Sequence, residues 1–462
     1  MGKLSKKKKQ NQKLKLNNQH QELLLKESPE IQLDNIEEDE DFNLQITMET
    51  LIKLKASDSL NLPKYKLLRT LLHEIFVNKG TTPVGRVSDA LRDGRWKDAL
   101  YELESMRENG IKPKLGALQR WVRDCDAASD PDSQATNPMV LKVLDSILRT
   151  TSPDLLSGKS ITDDNPLNYL LPWIPNNDKA PKQLLKEFEI NETWKSKFRV
   201  IYQESGAERR PPNLHDMILY TSEPNTIDTS KHNLTISRTD VPNLPGAFVI
   251  SNVLTPSECN DMISAAETIG FTPDTPVGGS AKDLVSVLAH NFFWLADDEL
   301  LNTIYSRCKS FLPQEIQNAG IAGLNARWRC YRYTPGSIYR PHIDGAWPGS
   351  GLTADGDYVY DAFGERWSKL TFLIRLNDNF KGGATTFFTP SEKVGVLDAL
   401  PICPFQGDVL VFPHGDTIGS LLHEGSPVLK TDDDGYGEAK YVIRTEVLYY
   451  IPSHVKTLQQ SI

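Results

Sequence analysis

The apolar positions along these 462 residues shift in period from one region to the next. From Leu44 to about Thr150 they recur at three- and four-residue steps, the spacing of helices with one buried face. Val87 to Leu91 and Ala99 to Met106 carry the pattern, Gly94 breaks it between two helices, and Gly110-Ile111-Lys112-Pro113 ends the second. Leu118 to Cys125 belongs to a third helix. After Gly323 the apolar runs become short and are divided by Gly and Pro, which predicts strands and tight turns. Residues 130–137 and 152–176 are rich in Ser, Asp, Pro and Asn and read as linkers. One more amphipathic helix is expected within 181–206, from Leu184, Leu185, Phe188, Trp194 and Phe198, while 211–243 reads as irregular.

The approach to the strand-rich part is sharply punctuated. Pro245 to Leu254 reads as a strand, and Thr255 then caps a helix, with Pro256 in its first turn and Glu258 three residues after the cap. That helix should run to about Ile269, before Gly270, and a second is expected near 297–311. Residues 405–412, Phe-Gln-Gly-Asp-Val-Leu-Val-Phe, read as a Gly-led turn into a buried strand.

Charge alters the picture mainly at the N-terminus. Lys3, Lys6, Lys7, Lys8, Lys9, Lys13 and Lys15 form a basic head, followed by the acidic clump Glu37, Glu38, Asp39, Glu40 and Asp41. Blocks of this kind repel internally and bury nothing, so 1–43 is expected to be a disordered charged tail. Lys6 to Lys9 read either as a nuclear address or RNA-touching arm, or as a plain solvated tail. The net charge of −9 argues against a nucleic-acid surface spread over the whole protein. Five cysteines, widely spaced and without a CxxC pair, read as free thiols in a reducing compartment. No apolar run approaches membrane-spanning length, so no membrane partner and a cytoplasmic or nuclear location are expected.

The candidate chemistry lies in Tyr339-Arg340-Pro341-His342-Ile343-Asp344. On an extended strand, His342 and Asp344 share a face and can reach one metal ion. A second histidine follows the buried strand, at His423 in Leu-His-Glu-Gly-Ser-Pro-Val. Two histidines and a carboxylate form a facial set that suits non-haem Fe(II) and leaves three positions open. His414, nine residues earlier, competes with His423 for this role, and is expected instead to line the entrance or to lie in a solvated loop. His290, near Phe292, Phe293 and Trp294, is expected to be packed or to face substrate.

In these motifs, residues 243–452 resemble the catalytic domain of prolyl 4-hydroxylase-like 2-oxoglutarate/Fe(II) dioxygenases. The carriers are Tyr333-Thr334-Pro335-Gly336, His342-Ile343-Asp344, Phe372-Leu373-Ile374-Arg375-Leu376-Asn377, Gly382-Gly383-Ala384-Thr385-Thr386-Phe387, His423 and Lys440. The resemblance implies an α+β fold with a double-stranded β-helix (jelly roll) and flanking helices over 243–454. It also implies Fe(II), 2-oxoglutarate and O2, with ascorbate as a further requirement, and hydroxylation of a protein or peptide substrate, prolyl first. The metal ligands would be His342, Asp344 and His423. The far carboxylate of 2-oxoglutarate needs a buried cation, ideally with a hydroxyl beside it.

Lys440, Arg444 and Tyr333 are the candidates for that role, Tyr333 being equally readable as a core aromatic. Motif order points to Lys440. An insertion at 430–438 complicates this, because a regular hairpin there would set His423 opposite residue 444 and bring Arg444 to the metal. Its three Asp and two Gly favour a bulging loop instead, and with it Lys440. The Gly- and aromatic-rich stretch 345–367 reads as a substrate lid.

Upstream, Gly94-Arg95-Trp96 with Ala99-Leu100, and Met106-Arg107 with Gly110-Ile111-Lys112-Pro113, resemble a single pentatricopeptide-type hairpin. Such repeats read RNA as arrays, and no tandem copies are present, so RNA is a minor partner class. The expected layout is a tail to 43, a small all-α domain over 44–150, linker and helix over 151–242, and the catalytic domain to 454.

Overall fold

The computed structural model describes residues 50, 82–128, 138–151, 166–175, 191–209, 212–277, 288–430 and 439–451. The protein divides into two units, Met1–Asn78 and Lys79–Ile462. Of the first only Thr50 is described, so the charged tail lies outside the described residues. The second unit holds all the elements that follow. No helix among the described residues is long and apolar enough to cross a membrane.

The architecture is mixed α+β with two large sheets. Four helices come first: α1 (Pro83–Arg92), α2 (Trp96–Glu108), α3 (Leu115–Ala128) and α4 (Pro138–Arg149). Thr82 caps α1 by accepting from the Gly85 amide, with Pro83 in the first turn. The expected breaks fall where Gly94 and Gly110 adopt positive φ.

Strand β1 (Leu167–Tyr169) follows, then the short helix α5 (Thr193–Lys197), β2 (Phe198–Glu204), β3 (Met217–Ser222), β4 (Ser237–Asp240) and β5 (Phe248–Ser251). Here the structure departs from the sequence reading. The amphipathic helix expected over 181–206 gives way at Phe198 to a strand, and 211–243, expected to be irregular, contributes two more. The β-branched and aromatic run Val200-Ile201-Tyr202 explains the change, because it suits a pleated surface better than a helix. Residues 181–190, which carried much of the expected helix, lie outside the described residues.

Helix α6 (Pro256–Ile269) has the expected capping box, Thr255 with Glu258, and ends at Gly270. Then come β6 (His290–Leu295), α7 (Asp298–Cys308, capped by Asp297), β7 (Glu315–Ile316), β8 (Ala319–Leu324), β9 (Arg327–Tyr333) and β10 (Tyr339–Ile343). The remaining strands are β11 (Gly351–Leu352), β12 (Tyr358–Val359), β13 (Arg366–Arg375), β14 (Thr385–Pro390), β15 (Leu397–Ile402), β16 (Val409–Pro413), β17 (Leu422–Gly425) and β18 (Lys440–Tyr450). All five cysteines are free thiols, four of them buried.

One sheet of five strands runs β1-β15-β14-β17-β10. The other has eleven, in the order β2-β3-β6-β9-β18-β13-β16-β5-β4, with β8 on β18 and β7 on β8. Their faces follow from strand alternation. On β16, Val409 and Val411 join the core beneath α6 and α7, while Leu410 and Phe412 turn toward the five-stranded sheet. There Phe412 meets Phe387 of β14 edge-on, with ring centroids 5.0 Å apart. The turn into β16 needs its glycine: Gly407 has φ 83°, and a Cβ there would come within 2.2 Å of the Leu254 carbonyl.

The outer face of the five-stranded sheet is roofed by α1–α4. Ile343, Phe388, Leu397, Ala399 and Leu422 share one core with Val87, Leu103, Trp121 and Ile147. Gln119 of α3 donates to the Ile343 carbonyl at 3.0 Å, and Asp126 pairs with Arg340. The helices that read as a separate domain over 44–150 therefore pack directly on β10.

Trp121 is fully buried and its indole donates to Ser88. Trp121→Ala should cost about 3–5 kcal/mol by cavity formation. Urea melts would read this, and the loss should extend to the sheet signal rather than to helix alone.

Candidate metal centre

Antiparallel pairing sets the centre. His342 on β10 stands directly opposite His423 on β17, so their side chains project on the same face. Asp344, two residues after His342, shares that face, whereas Ile343 and Leu422 point the other way, into the helical core. One ligand atom from each of His342, Asp344 and His423 lies within 4.8 Å of the others, and they form the one such cluster found among the described residues. His342 Nε2 is 3.4 Å from Asp344 Oδ1, and His423 Nε2 is 3.8 Å from Oδ2.

The donor set fits a metal ion. His342 Nδ1 donates to the Arg340 carbonyl at 2.7 Å and His423 Nδ1 to the Leu421 carbonyl at 3.2 Å. Each ring is thereby held in the tautomer whose Nε2 lone pair faces the carboxylate. Burial followed by the neighbouring His342 pushes His423 down to about 3, so its ring is neutral at ordinary pH. Burial opposes the charge on Asp344, but Arg444 and the imidazoles outweigh it and hold the carboxyl well below its usual range.

Asp344 is gripped at both oxygens. Thr371 of β13 donates to Oδ2 at 2.6 Å and is itself 2.8 Å from His414 Nδ1, while His414 Nε2 is 2.8 Å from Ser368 Oγ. With the Thr371 proton given to Asp344, His414 must donate from Nδ1 and accept at Nε2 from Ser368. This corrects the expectation for His414: it is neither at the entrance nor in a solvated loop, but fully buried behind the aspartate. β16 lies beside β13, with Leu370 paired to Pro413, and that adjacency delivers His414 to Thr371. Thr371 and Ser368 escape the sequence reading, although a hydroxyl within Leu370-Thr371-Phe372-Leu373-Ile374 is a signal, being polar in an otherwise apolar strand.

Burial pushes His414 down to about 3, from an ordinary 6.5. Between those values the unfolded polypeptide binds the proton that the folded one refuses, so this contribution is complete above about pH 6.5 and is lost as pH falls toward 3. Urea melts at about pH 7 and about pH 4.5 should therefore show a fall in stability, which His414→Gln should reduce, His423 supplying a further loss of the same sign.

Arg444 approaches the other oxygen, with Nη2 3.2 Å from Asp344 Oδ1 and 3.6 Å from Glu446 Oε1. Those are ion-pair distances with poor alignment, and Nε and Nη2 make no hydrogen bond. Lys440 lies on the same face of β18, four residues away, paired with Tyr333 on β9. It is buried, with Nζ 4.7 Å from the Tyr333 ring centroid and no carboxylate partner among the described residues. Burial and nearby Arg375 lower its pKa.

Two sequence motifs make room for Lys440. Asn377 accepts from the Tyr441 amide and donates to the Ala439 carbonyl, fixing the start of β18. Gly383, at φ 61°, is so close that a Cβ there would stand 3.2 Å from Lys440 Cδ. Lys440, Arg444 and Tyr333 line one cavity with the three ligand residues.

His423 and residue 444 do not face each other in one hairpin, because β17 and β18 belong to different sheets. Of the insertion at 430–438, residues 431–438 lie outside the described residues. His290 is not brought to the site and accepts from Arg332 instead. A larger groove of about 960 Å³ lies along α7 and β3, away from the cluster, so volume does not mark the chemistry here. Within the expected lid, Trp347 stacks edge-on with Tyr360, and its amide donates to Ser368.

Fold and site thus define a buried two-histidine, one-carboxylate pocket between two sheets, with a lone lysine at its far end. No family model matches the sequence. It is 29% identical over 211 residues to a probable prolyl 4-hydroxylase 8 of Arabidopsis thaliana, covering 40% of this protein and 65% of that one. To a probable prolyl 4-hydroxylase 3 of the same plant it is 26% identical, covering 40% and 66%. The match thus spans just under two thirds of these relatives, and the similarity to prolyl 4-hydroxylase-like 2-oxoglutarate/Fe(II) dioxygenases stands on them. Among solved structures the protein is similar to a viral collagen prolyl hydroxylase from Paramecium bursaria Chlorella virus-1, at 17% identity, 48% of this protein, 98% of that one and a TM-score of 0.28, too slight to argue from.

Proposed function

We propose that the protein is an Fe(II)- and 2-oxoglutarate-dependent dioxygenase that hydroxylates a C–H bond on a residue of a polypeptide substrate, prolyl first, with release of succinate and CO2. The observation that carries the reading is the convergence of His342 Nε2, His423 Nε2 and the Asp344 carboxylate, each held by its own neighbours. The likeness to the two plant proteins supports it. The facing sheets are read as a double-stranded β-helix, with 243–454 as its catalytic extent and ascorbate as an added requirement.

When bound, the metal and 2-oxoglutarate would supply the oxidising power together with O2. The protein's own residues do the rest. His342, Asp344 and His423 would hold the metal by one side, leaving the other side open to ligands. Lys440 would take the far carboxylate of 2-oxoglutarate, with Tyr333 beneath it. Leu373, Phe412 and Val442 line the same cavity and limit water there.

An anaerobic titration with Fe(II) and 2-oxoglutarate tests the reading. A weak visible charge-transfer band, followed by slow succinate release when O2 is admitted, is the expected result. Binding of both without any succinate would make the protein a binding module.

A further inference from the structure

Arg444 lines the cavity, and two further arginines to consider lie on the neighbouring strand β9. Arg327 and Arg329 share a face of β9, and Arg329 is paired in register with Arg444 on β18. Their donors are not equally used. Arg329 is satisfied, giving Nε to Asn291 at 2.8 Å and Nη2 to Asp274 at 2.9 Å. Arg444 has Nε and Nη2 buried without a hydrogen bond. The nearer of its two acids, Asp344, is the carboxylate the metal would claim; the other, Glu446, gives one oxygen to Asn325 at 2.9 Å.

Arg327 makes no salt bridge among the described residues and acts on Glu446 only through space. Its guanidinium lies between aromatic rings, 5.0 Å from the centroid of Trp347 and 5.7 Å from that of Phe293, with a weak contact to the Met217 sulfur. Trp347 stands three residues after Asp344, so this platform flanks the exit from the metal strand.

Leaving a buried donor unmet costs about 1–3 kcal/mol, more for a charged group. The unmet donors of Arg444, with the Arg327 guanidinium on the same face of the sheet, form a local exception in a protein of net charge −9 that a ligand would satisfy. We propose that Arg444 and Arg327 form a subsite for a carboxylate on the substrate, so that the polypeptide acted on is acidic next to its reactive residue. This rests on the oxygenase reading above and adds the substrate's charge to it. A carboxylate could also come from the co-substrate, but Arg327 stands outside the cavity that Lys440 and the ligands enclose.

The test uses the full-length protein, loaded anaerobically with Fe(II) and 2-oxoglutarate, and two fluorescein-labelled proline-containing peptides that differ only in Glu or Gln at alternate positions. The charge-transfer band reports loading in every sample, and anisotropy reports peptide affinity. Wild type should bind the Glu peptide at least about tenfold more tightly than the Gln peptide, a difference of about 1.4 kcal/mol. Arg327→Gln and Arg444→Gln should each shrink that preference, and Arg327→Lys should restore part of it. Equal or absent binding of the two peptides by loaded wild type overturns the subsite, as does full discrimination by Arg327→Gln. If Arg327→Gln loses the band itself, the carboxylate served is the co-substrate's and the proposal fails. A wild type that gives no band ends the oxygenase reading, and the subsite with it.

Discussion

His423→Ala, His342→Ala and Asp344→Ala should each weaken Fe(II) binding by more than about a hundredfold, since each removes one of three donors. Anaerobic titration measures this directly. The support behind Asp344 gives the experiment its resolution. Thr371→Val deletes the hydroxyl that holds Oδ2 and leaves His414 Nδ1 facing a methyl group. Removing an orienting partner of this kind typically costs about 10–100-fold in metal affinity, so Thr371→Val should fall between wild type and the ligand variants. His414→Ala should do likewise while also lowering stability, because the ring fills a fully buried space. If His414→Ala abolished binding and His423→Ala spared it, the ligand assignment would be wrong.

Lys440→Ala should weaken 2-oxoglutarate by about 2–5 kcal/mol, the penalty for removing one partner of a buried charged pair. Arg444→Ala should have the smaller effect. The reason is position. Arg444 reaches Asp344 itself, so its charge sits at the metal end of the cavity. Lys440 lies four residues away on an extended strand, roughly 13 Å along the backbone, at the end a chelated diacid would extend toward. Of the two it is also the one that makes no salt bridge among the described residues. Affinity measured anaerobically with Fe(II) present ranks the two, and the reverse order would move the anchor to Arg444.

Local rules make part of this protein legible. Thr255, Pro256 and Glu258 announce α6 because a capping box is a short-range device, and His342 with Asp344 announce a shared face because strand side chains alternate. What fails depends on distant pairing. Phe412-Pro413-His414-Gly415 looks like a surface turn until β13 is laid alongside, and nothing near His414 in sequence names Thr371 as its partner. Residues 198–222 mislead because Trp194 and Phe198 have helical spacing, whereas Val200-Ile201-Tyr202 is the strand signal that outweighs it. In sequence, the choice between Lys440 and Arg444 looks like a question of hairpin shape, but β17 and β18 belong to different sheets, so hairpin shape does not decide it. Periodicity in 83–149 shows that the helices have an apolar face, but not what that face lies against.

The roof on β10 has a consequence for how this protein opens. A strand with metal donors on one face and helices packed on the other loses its protection when either side lifts. Amide protons of Arg340, His342 and Ile343 should therefore exchange in step with those of α3, as one cooperative unit, and not with the outlying strands β2 and β4. Trimming away α1–α4 would then leave Ile343 and Leu422 facing water, one residue away from the side chains that form the candidate metal site.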